Sequence, residues 1–313
     1  MTPAWRHGTM TPWGGEKLRS LFGKDSPGPN AGESLELSAI PGFESRADDG
    51  RSLSQLIVQY GQALTGTKVG NPFPLLVKLI DAREQLSVQV HPDDGYAQAH
   101  HGKPGKNEAW VILDCEPDAS LTIGLRDGIS YEQLRDAVEN TGEIERILRT
   151  VKVSPGEVYA IPAGTIHAIG KGLVLYEIQQ SSDVTYRLYD WGRLDKNGKG
   201  RELHPEQSLD VVKYSASPAP ALPKLIKSNS SGWLERLLDT PFFLLDRLRE
   251  TNGFVTEPDL ERFRVLTAVK PMTIHWDSGE LPLSAGQTAL LPADGFSLSL
   301  SGESALLAAP GIS

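Results

Sequence analysis

Short apolar runs, separated by turns rich in glycine and proline, account for most of the chain. The runs are rich in valine, isoleucine, leucine and tyrosine, which is typical of β-strands. The strands predicted in the first two thirds of the chain are 34–40, 74–81, 86–91, 107–113, 119–125, 157–161, 165–169, 173–179 and 184–189. So many short strands in succession predict a β-sandwich or barrel rather than a fold of alternating strands and helices.

Helical spacing of apolar residues interrupts this pattern in three places. Residues 16–22 and 53–60 are predicted to form short helices before the strand-rich part begins. Between 130 and 150, apolar residues from Leu134 to Leu148 recur at the spacing of one helix face. We therefore predict two short helices there, inserted between strands of the β-fold.

A second β unit is predicted after a proline-rich linker, PAPALP at 218–223. The strands predicted beyond the linker are 242–248, 263–269, 272–276, 288–291 and 296–300. An internal repeat relates the two parts, because SPGEVYAIPAG at 154–164 resembles SAGQTALLPAD at 284–294. The sequence thus predicts a mainly β protein of two jelly-roll β-barrel units, 1–215 and 224–313. The helical insertion around 130–150 belongs to the first unit.

Composition narrows the expected partners and location. The chain has 313 residues, of which 39% are hydrophobic, and a formal net charge of −9. An acidic surface repels phosphates, so we expect no nucleic-acid or membrane partner, and no obligate protein partner is evident. Cys115 is the only cysteine, which excludes an internal disulfide and fits a reducing compartment. With no apolar leader and no membrane-length apolar run, a cytoplasmic protein is expected.

Polar side chains on two predicted strands are candidates for metal binding. Side chains alternate between the faces of a strand, so Gln89 and His91, in the segment LSVQVHPDD (86–94), point the same way. Glu108 begins an alternating strand whose inward face is otherwise apolar. A carboxylate in such surroundings is costly unless it is paired or bound to a metal.

A histidine framed by tight turns completes the candidate set. His167 follows GEVYAIPAGTI (156–166), a strand with a turn at each end. Two imidazoles, a carboxylate and an amide oxygen can surround a divalent ion, and catalytic zinc commonly leaves one position open for substrate. We therefore predict a metal site formed by Gln89, His91, Glu108 and His167. Ser297 stands where the second copy of the repeat would place a histidine, so metal is expected in the first unit only.

The spacing of these residues resembles the signatures of the cupin superfamily. The segment from Gly156 to His167 has the form G-x5-P-x-G-x2-H, which resembles the second cupin signature. Gln89 and His91, followed later by Glu108, resemble the first. The resemblance implies that both β units are cupin-type barrels.

Longer segments narrow the resemblance to one family. QVHPDD (89–94), the K-x-E-x-W segment at 106–110, FPLLVKLIDA (73–82) and IPAGTIHAIGKGLVLYEIQQSSDVTYRLYDWGR (161–193) look like class I mannose-6-phosphate isomerase. The chain is more similar to that family's short bacterial form, and the resemblance covers about residues 10–215.

This resemblance implies an activity and a cofactor. The activity is an aldose–ketose isomerisation that interconverts mannose 6-phosphate and fructose 6-phosphate through an enediol. The cofactor is one zinc ion per chain. Its implied ligands are His91, Glu108 and His167, with Gln89 as a fourth, weaker ligand.

Further residues are candidates for catalysis and substrate binding. The resemblance implies that Arg187, in TYRLYD, is the catalytic arginine. An arginine on an inward strand face needs an anionic partner, such as a sugar phosphate or an enediolate, and a structural ion pair is the alternative. The proton-transferring base is expected to be Lys106, two residues before a ligand, or Glu177, on the strand beside Arg187. Lys106 could instead hold the phosphate, helped by Ser87, which shares the inward face of its strand.

Two other functions stay open on the sequence alone. His91, Glu108 and His167 also satisfy the two-histidine, one-carboxylate pattern of cupin non-haem iron oxygenases. A non-catalytic, sugar-binding cupin is the alternative outside enzymes. Such a protein would often lack the metal ligands or the inward arginine, whereas this chain has all of them.

Overall fold

A computed structural model describes residues 1–70, 72–140, 143–214, 219–293 and 297–312, and these residues form mostly β-strands. The strands before residue 190 are β1 (Ala4–Arg6), β2 (Glu33–Leu37), β3 (Leu75–Ala82), β4 (Val88–Val90), β5 (Glu108–Cys115), β6 (Ser120–Leu125), β7 (Leu148–Lys152), β8 (Val158–Ile161), β9 (His167–Ile169), β10 (Leu173–Gln180) and β11 (Tyr186–Tyr189). The strands after residue 223 are β12 (Lys224–Asn229), β13 (Gly232–Asp239), β14 (Phe243–Thr256), β15 (Arg264–Ala268), β16 (Met272–Trp276), β17 (Gly279–Leu283), β18 (Thr288–Leu291) and β19 (Leu298–Pro310). The helices are α1 (Lys17–Phe22), α2 (Leu53–Tyr60), α3 (Gln62–Thr65), α4 (Asp94–His101), α5 (Tyr131–Glu139), α6 (Ile144–Ile147) and α7 (Pro205–Val211).

The strands of the first part form two sheets that face each other. One sheet has six strands in the order β1-β2-β3-β10-β5-β8, and the other has five in the order β11-β4-β9-β6-β7. The apolar core between them includes Trp110 and Ile112 of β5 and Ile123 of β6. The mainly β, jelly-roll prediction is confirmed. Pairing among the described strands gives two facing sheets rather than one closed barrel.

A third sheet covers the outer face of the six-stranded sheet. Its strands run in the order β12-β13-β14-β19-β15-β18, with β16 and β17 attached to β19. Val77, Val111 and Tyr176 of the six-stranded sheet share one buried apolar cluster with Val265 and Leu306 of the third sheet. Because β3 and β10 are thereby buried on both faces, their sequences read as nearly continuous apolar runs. The division of the chain into 1–215 and 224–313 stays a prediction.

Helices α5, α6 and α7 pack on the outer face of the five-stranded sheet. Leu134 of α5 and Leu209 of α7 lie in one buried cluster with Val90 and Tyr186 of that sheet. The two helices predicted between 130 and 150 are confirmed, but the second ends earlier than expected. Leu148, predicted as helical, begins β7 and pairs with Leu125 of β6. Its side chain still enters the same apolar core, so burial alone did not distinguish the helix from the strand.

The internal repeat falls on equivalent strands of the two parts. β8 occupies the middle of the first copy and β18 the middle of the second. Residues 218, 294 and 296 of the predicted linker, repeat and last strand lie outside the described residues. No helix within the described part of the chain is long and apolar enough to cross a bilayer.

Candidate active site

Three of the predicted metal ligands meet between the two facing sheets. His91 follows β4 and His167 begins β9 in the five-stranded sheet, while Glu108 begins β5 in the six-stranded sheet. Their potential ligand atoms all lie within 4.8 Å of one another, and all three residues are buried. His91 Nε2 is 3.4 Å from Glu108 Oε2, and His167 Nε2 is 3.2 Å from Glu108 Oε1. The fold therefore brings together residues that are up to 76 positions apart, from 91 to 167.

The backbone fixes which nitrogen of each imidazole faces the cluster. Nδ1 of His91 is 3.0 Å from the carbonyl oxygen of Val184, and Nδ1 of His167 is 2.8 Å from that of Thr165. A carbonyl only accepts, so each Nδ1 carries the proton and each Nε2 turns a lone pair inward. Burial, with the nearby Lys106 cation, lowers the pKa of His91 to about 3. Burial also lowers the pKa of His167, so both rings are neutral at pH 7.

Glu108 supplies the negative charge of the cluster. Burial opposes its ionisation, but Lys106 and the two histidines hold the pKa of the carboxyl well below its usual range. Its two oxygens are buried without a well-directed hydrogen bond from the described residues, although the Lys106 ammonium lies 2.8 Å from Oε2. Two neutral nitrogen ligands and a carboxylate with unused lone pairs fit a divalent cation such as zinc.

Acid is expected to destabilise the metal-free protein through these histidines. An unfolded histidine has a pKa of about 6.5, whereas folded His91 has a pKa of about 3. Between these values the unfolded chain binds the extra proton, so the free energy of unfolding is highest above pH 6.5 and falls as the pH drops. For His91 the loss at pH 5 is about 2 kcal/mol. Urea unfolding of chelator-treated protein at neutral pH and at pH 5 measures it, and an equal loss in a His91→Asn variant would contradict the assignment.

Gln89 lies beside the cluster, in a row of residues that crosses three strands. Gln89 of β4 is directly opposite His167 of β9 on one side and Arg187 of β11 on the other. Its amide nitrogen is 3.2 Å from His167 Nε2. To act as a metal ligand, the amide must turn over so that its oxygen takes this place. Its role as the fourth ligand stays a prediction.

The two predicted bases, Lys106 and Glu177, have different contacts in the site. Lys106 Nζ lies 3.0 Å from His91 Nε2, so this buried side chain directly adjoins the metal ligands. Glu177 has both oxygens occupied, because Lys78 Nζ is 2.8 Å from Oε1 and Trp110 Nε1 donates to Oε2 at 2.9 Å. The ring of Trp110 in turn packs edge-on against His167, with centroids 5.4 Å apart. Glu177 of β10 thus supports the position of His167 through Trp110.

Lys78 is a buried cation of the site that the sequence reasoning missed. It is buried in β3 and also lies 3.8 Å from Glu33. Burial opposes its charge, but Glu177 and Glu33 raise the pKa of its ammonium. A lysine inside the apolar run FPLLVKLIDA was the available signal, since a buried charge requires a partner.

Replacing Lys78 by methionine is expected to lower the free energy of unfolding by about 3 kcal/mol, because two buried carboxylates lose their shared cation. Urea unfolding of the native protein measures the loss. The control is Lys152→Met, which removes an exposed ion pair with Asp118 and should leave stability unchanged within error. Equal stability of the two variants would contradict a structural role for Lys78.

A cavity of about 310 Å³ lies beside the metal cluster and is lined by several cationic side chains. Lys106 and Gln89, which contact the metal ligands, line the cavity together with Glu177. Ser87 and Arg187, both predicted to bind substrate, line the same cavity, and Arg187 Nε donates to Ser87 Oγ at 3.2 Å, so the two side chains define its arginine end.

Two residues that the sequence reasoning did not select also line this end, Arg201 and His204. Burial, and secondarily the proximity of Arg201, lowers the pKa of Arg187, so the two guanidinium groups lie close enough to repel. Both residues follow a polar loop and belong to no recognisable motif, so the sequence offered little signal for them.

Comparisons with known proteins agree on the family. Residues 9–111 match the family described as phosphomannose isomerase type I, catalytic domain. Mannose-6-phosphate isomerase from Streptococcus mutans is 40% identical over 237 residues, which cover 74% of this chain and 73% of the relative. Mannose-6-phosphate isomerase ManA from Bacillus subtilis is 43% identical over 211 residues, 66% of each chain.

Solved structures extend the similarity to nearly the whole chain. The crystal structure of mannose 6-phosphate isomerase from Bacillus subtilis matches with a TM-score of 0.89 and 31% identity, covering 98% of both chains. A putative mannosephosphate isomerase from Archaeoglobus fulgidus has the same fold, with a TM-score of 0.77 at 22% identity. On this combined evidence, the chain belongs to the type I phosphomannose isomerase family.

Proposed function

We propose that the protein interconverts mannose 6-phosphate and fructose 6-phosphate, with one zinc ion held by His91, Glu108 and His167. The observation that carries the proposal is a buried His91–Glu108–His167 cluster whose neighbours Gln89 and Lys106 line the same cavity as Arg187 and Arg201. Relatives named for this reaction match most of the chain. The predicted cytoplasmic location is part of the proposal.

The dimensions of the cavity suit a hexose phosphate. Ser87 and Gln89 are two residues apart on an extended segment, which separates them by roughly 7 Å. Carbons 1 and 2 of the sugar can therefore lie near the metal ligands while the phosphate on carbon 6 reaches Arg187 and Arg201. Of the two roles predicted for Arg187, this position favours phosphate binding, because its guanidinium is held toward Ser87 rather than toward the cluster.

The reaction moves a proton between carbon 2 and carbon 1 through an enediol. A bound divalent ion supplies Lewis-acid stabilisation of the negative charge that develops on the sugar oxygens. We assign the proton transfer to Lys106, whose buried side chain adjoins the ligands and must release its own proton before it can take the one on carbon 2. Glu177 is less suited, because Lys78 and Trp110 already occupy both of its oxygens.

A coupled assay for fructose 6-phosphate formed from mannose 6-phosphate tests the proposal. Native protein, chelator-stripped protein and stripped protein reloaded with zinc are compared at matched concentrations. Activity that disappears on stripping and returns with zinc is expected. Tight metal binding without turnover would refute the reaction, and restoration by iron alone with oxygen uptake would move the assignment to an oxygenase.

A further inference from the structure

The strand that carries Arg187 has a free edge at the phosphate end of the cavity. In the described part of the chain, β11 lies at the end of the five-stranded sheet and pairs only with β4. The main-chain N–H and C=O of Arg187 that point away from β4 therefore need other partners. They find them in the segment 201–204, here called the clip.

His204 occupies this edge in the manner of a strand residue. Its backbone N–H donates to the Arg187 carbonyl at 2.8 Å. In the opposite direction, the Arg187 N–H donates to His204 Nδ1 at 3.2 Å, where a neighbouring strand would offer a carbonyl oxygen. The imidazole thus replaces a backbone acceptor, and it does so through its δ position.

The clip also holds the guanidinium groups themselves. Arg187 Nη1 donates to the carbonyl oxygen of Glu202 at 2.7 Å. At the start of the clip, Arg201 Nε donates to Asp190 Oδ2 at 2.7 Å, so the clip is attached to the end of β11 a second time. The clip therefore orients Arg187 through the carbonyl oxygen of Glu202, while Asp190 orients Arg201.

We propose that the clip is a positioning device for the phosphate group, with His204 as its positioning residue and Arg201 as a second phosphate-binding cation beside Arg187. The inference rests on the proposed function, since it assumes that an anionic substrate fills this end of the cavity. Two guanidinium groups that repel each other when the cavity is empty gain most from a shared dianion. Holding them in place in advance reduces the ordering cost of binding.

The test uses two variants that differ in where they offer an acceptor. The amide oxygen of asparagine can reproduce the position of Nδ1, whereas glutamine is longer and places its amide near the Nε2 position. His204→Gln is expected to raise KM for mannose 6-phosphate about tenfold, the upper range for loss of one neutral hydrogen bond, with kcat and zinc content unchanged. His204→Asn should restore KM to within about twofold of the native value.

A direct binding measurement separates this inference from the proposed function. Inorganic phosphate is titrated into the zinc-loaded native protein and both variants by calorimetry, which needs no turnover. Weaker phosphate binding in His204→Gln, recovered in His204→Asn, supports the clip even if the sugar substrate is another one. His275→Gln, on β16 of the third sheet, is the matched control and should bind phosphate like the native protein.

Several outcomes would overturn the inference. Equal KM values and phosphate affinities in both His204 variants, or a loss of kcat with KM unchanged, would remove the positioning role. Should His204→Gln not fold, Asp190→Asn releases the other end of the clip and is expected to raise KM in the same way. An unchanged KM in that variant, or in Arg201→Gln, would equally refute the proposal.

Discussion

Glu108→Gln is expected to remove stoichiometric zinc and to lower turnover by at least about a thousandfold, or roughly 4 kcal/mol of transition-state stabilisation. Glu108 is the anionic member of the ligand cluster, and its pKa is held low enough for it to be ionised at pH 7. Glutamine keeps the shape of the side chain but offers no charge to a divalent ion. Metal analysis after gel filtration and the coupled assay measure the two effects.

The control for Glu108→Gln is a second buried carboxylate outside the cavity. Glu36 is fully buried and lies 2.8 Å from Lys24 Nζ. Glu36→Gln should reduce stability, because it breaks a buried ion pair, but it should retain zinc and the kcat of the folded fraction. Full zinc occupancy and normal turnover in Glu108→Gln would place the metal elsewhere.

Lys106→Met is expected to reduce kcat by a factor of about 100 to 10,000, the usual contribution of a positioned proton-transfer group. Zinc content should stay at one ion per chain, because the three ligands remain. The exchange of the carbon 2 proton with solvent deuterium, followed by NMR, should slow in parallel with turnover. This parallel distinguishes loss of proton transfer from loss of substrate binding.

Lys103→Met provides the matched control on the same loop. Lys103 is half-exposed and forms a 2.7 Å ion pair with Asp183, and its loss should change kcat only a few-fold at most. If instead Glu177→Gln lowers proton exchange more than Lys106→Met does, the role of the base passes to Glu177. Normal exchange in Lys106→Met would exclude this lysine from the chemistry.

The metal cluster was predictable because its polar residues stand at strand positions where alternation predicts inward-facing side chains. Gln89 and His91 share a strand face, and Glu108 stands on an otherwise apolar one, so alternation alone indicated a common inward direction. The structure brings His91, Glu108 and His167 together as expected. Their function as zinc ligands stays a prediction, as do the roles of Arg187, Lys106 and Ser87.

The part of the cavity lined by Arg201 and His204 was harder to predict, for a physical reason. Arg201 and His204 follow an irregular loop and contact the free edge of β11 and the residue after it. The helix and strand periods of apolar residues do not predict contacts of this kind. Lys78 was also missed, although its charge in a buried run was visible. Leu148 was predicted as helical although it begins β7, because a helix and a strand would both bury its side chain in this core.

The central place of β10 in the six-stranded sheet imposes an order on folding. β10 pairs with β3 on one side and β5 on the other, and its Glu177 contacts a lysine 99 residues earlier in the chain. Until β10 inserts, β3 and β5 each present an open edge that can pair with another chain. Such long-range pairing makes folding slow, in the range of milliseconds to seconds. The nascent protein is therefore most exposed to aggregation after β5 has been synthesised and before β10 has joined the sheet.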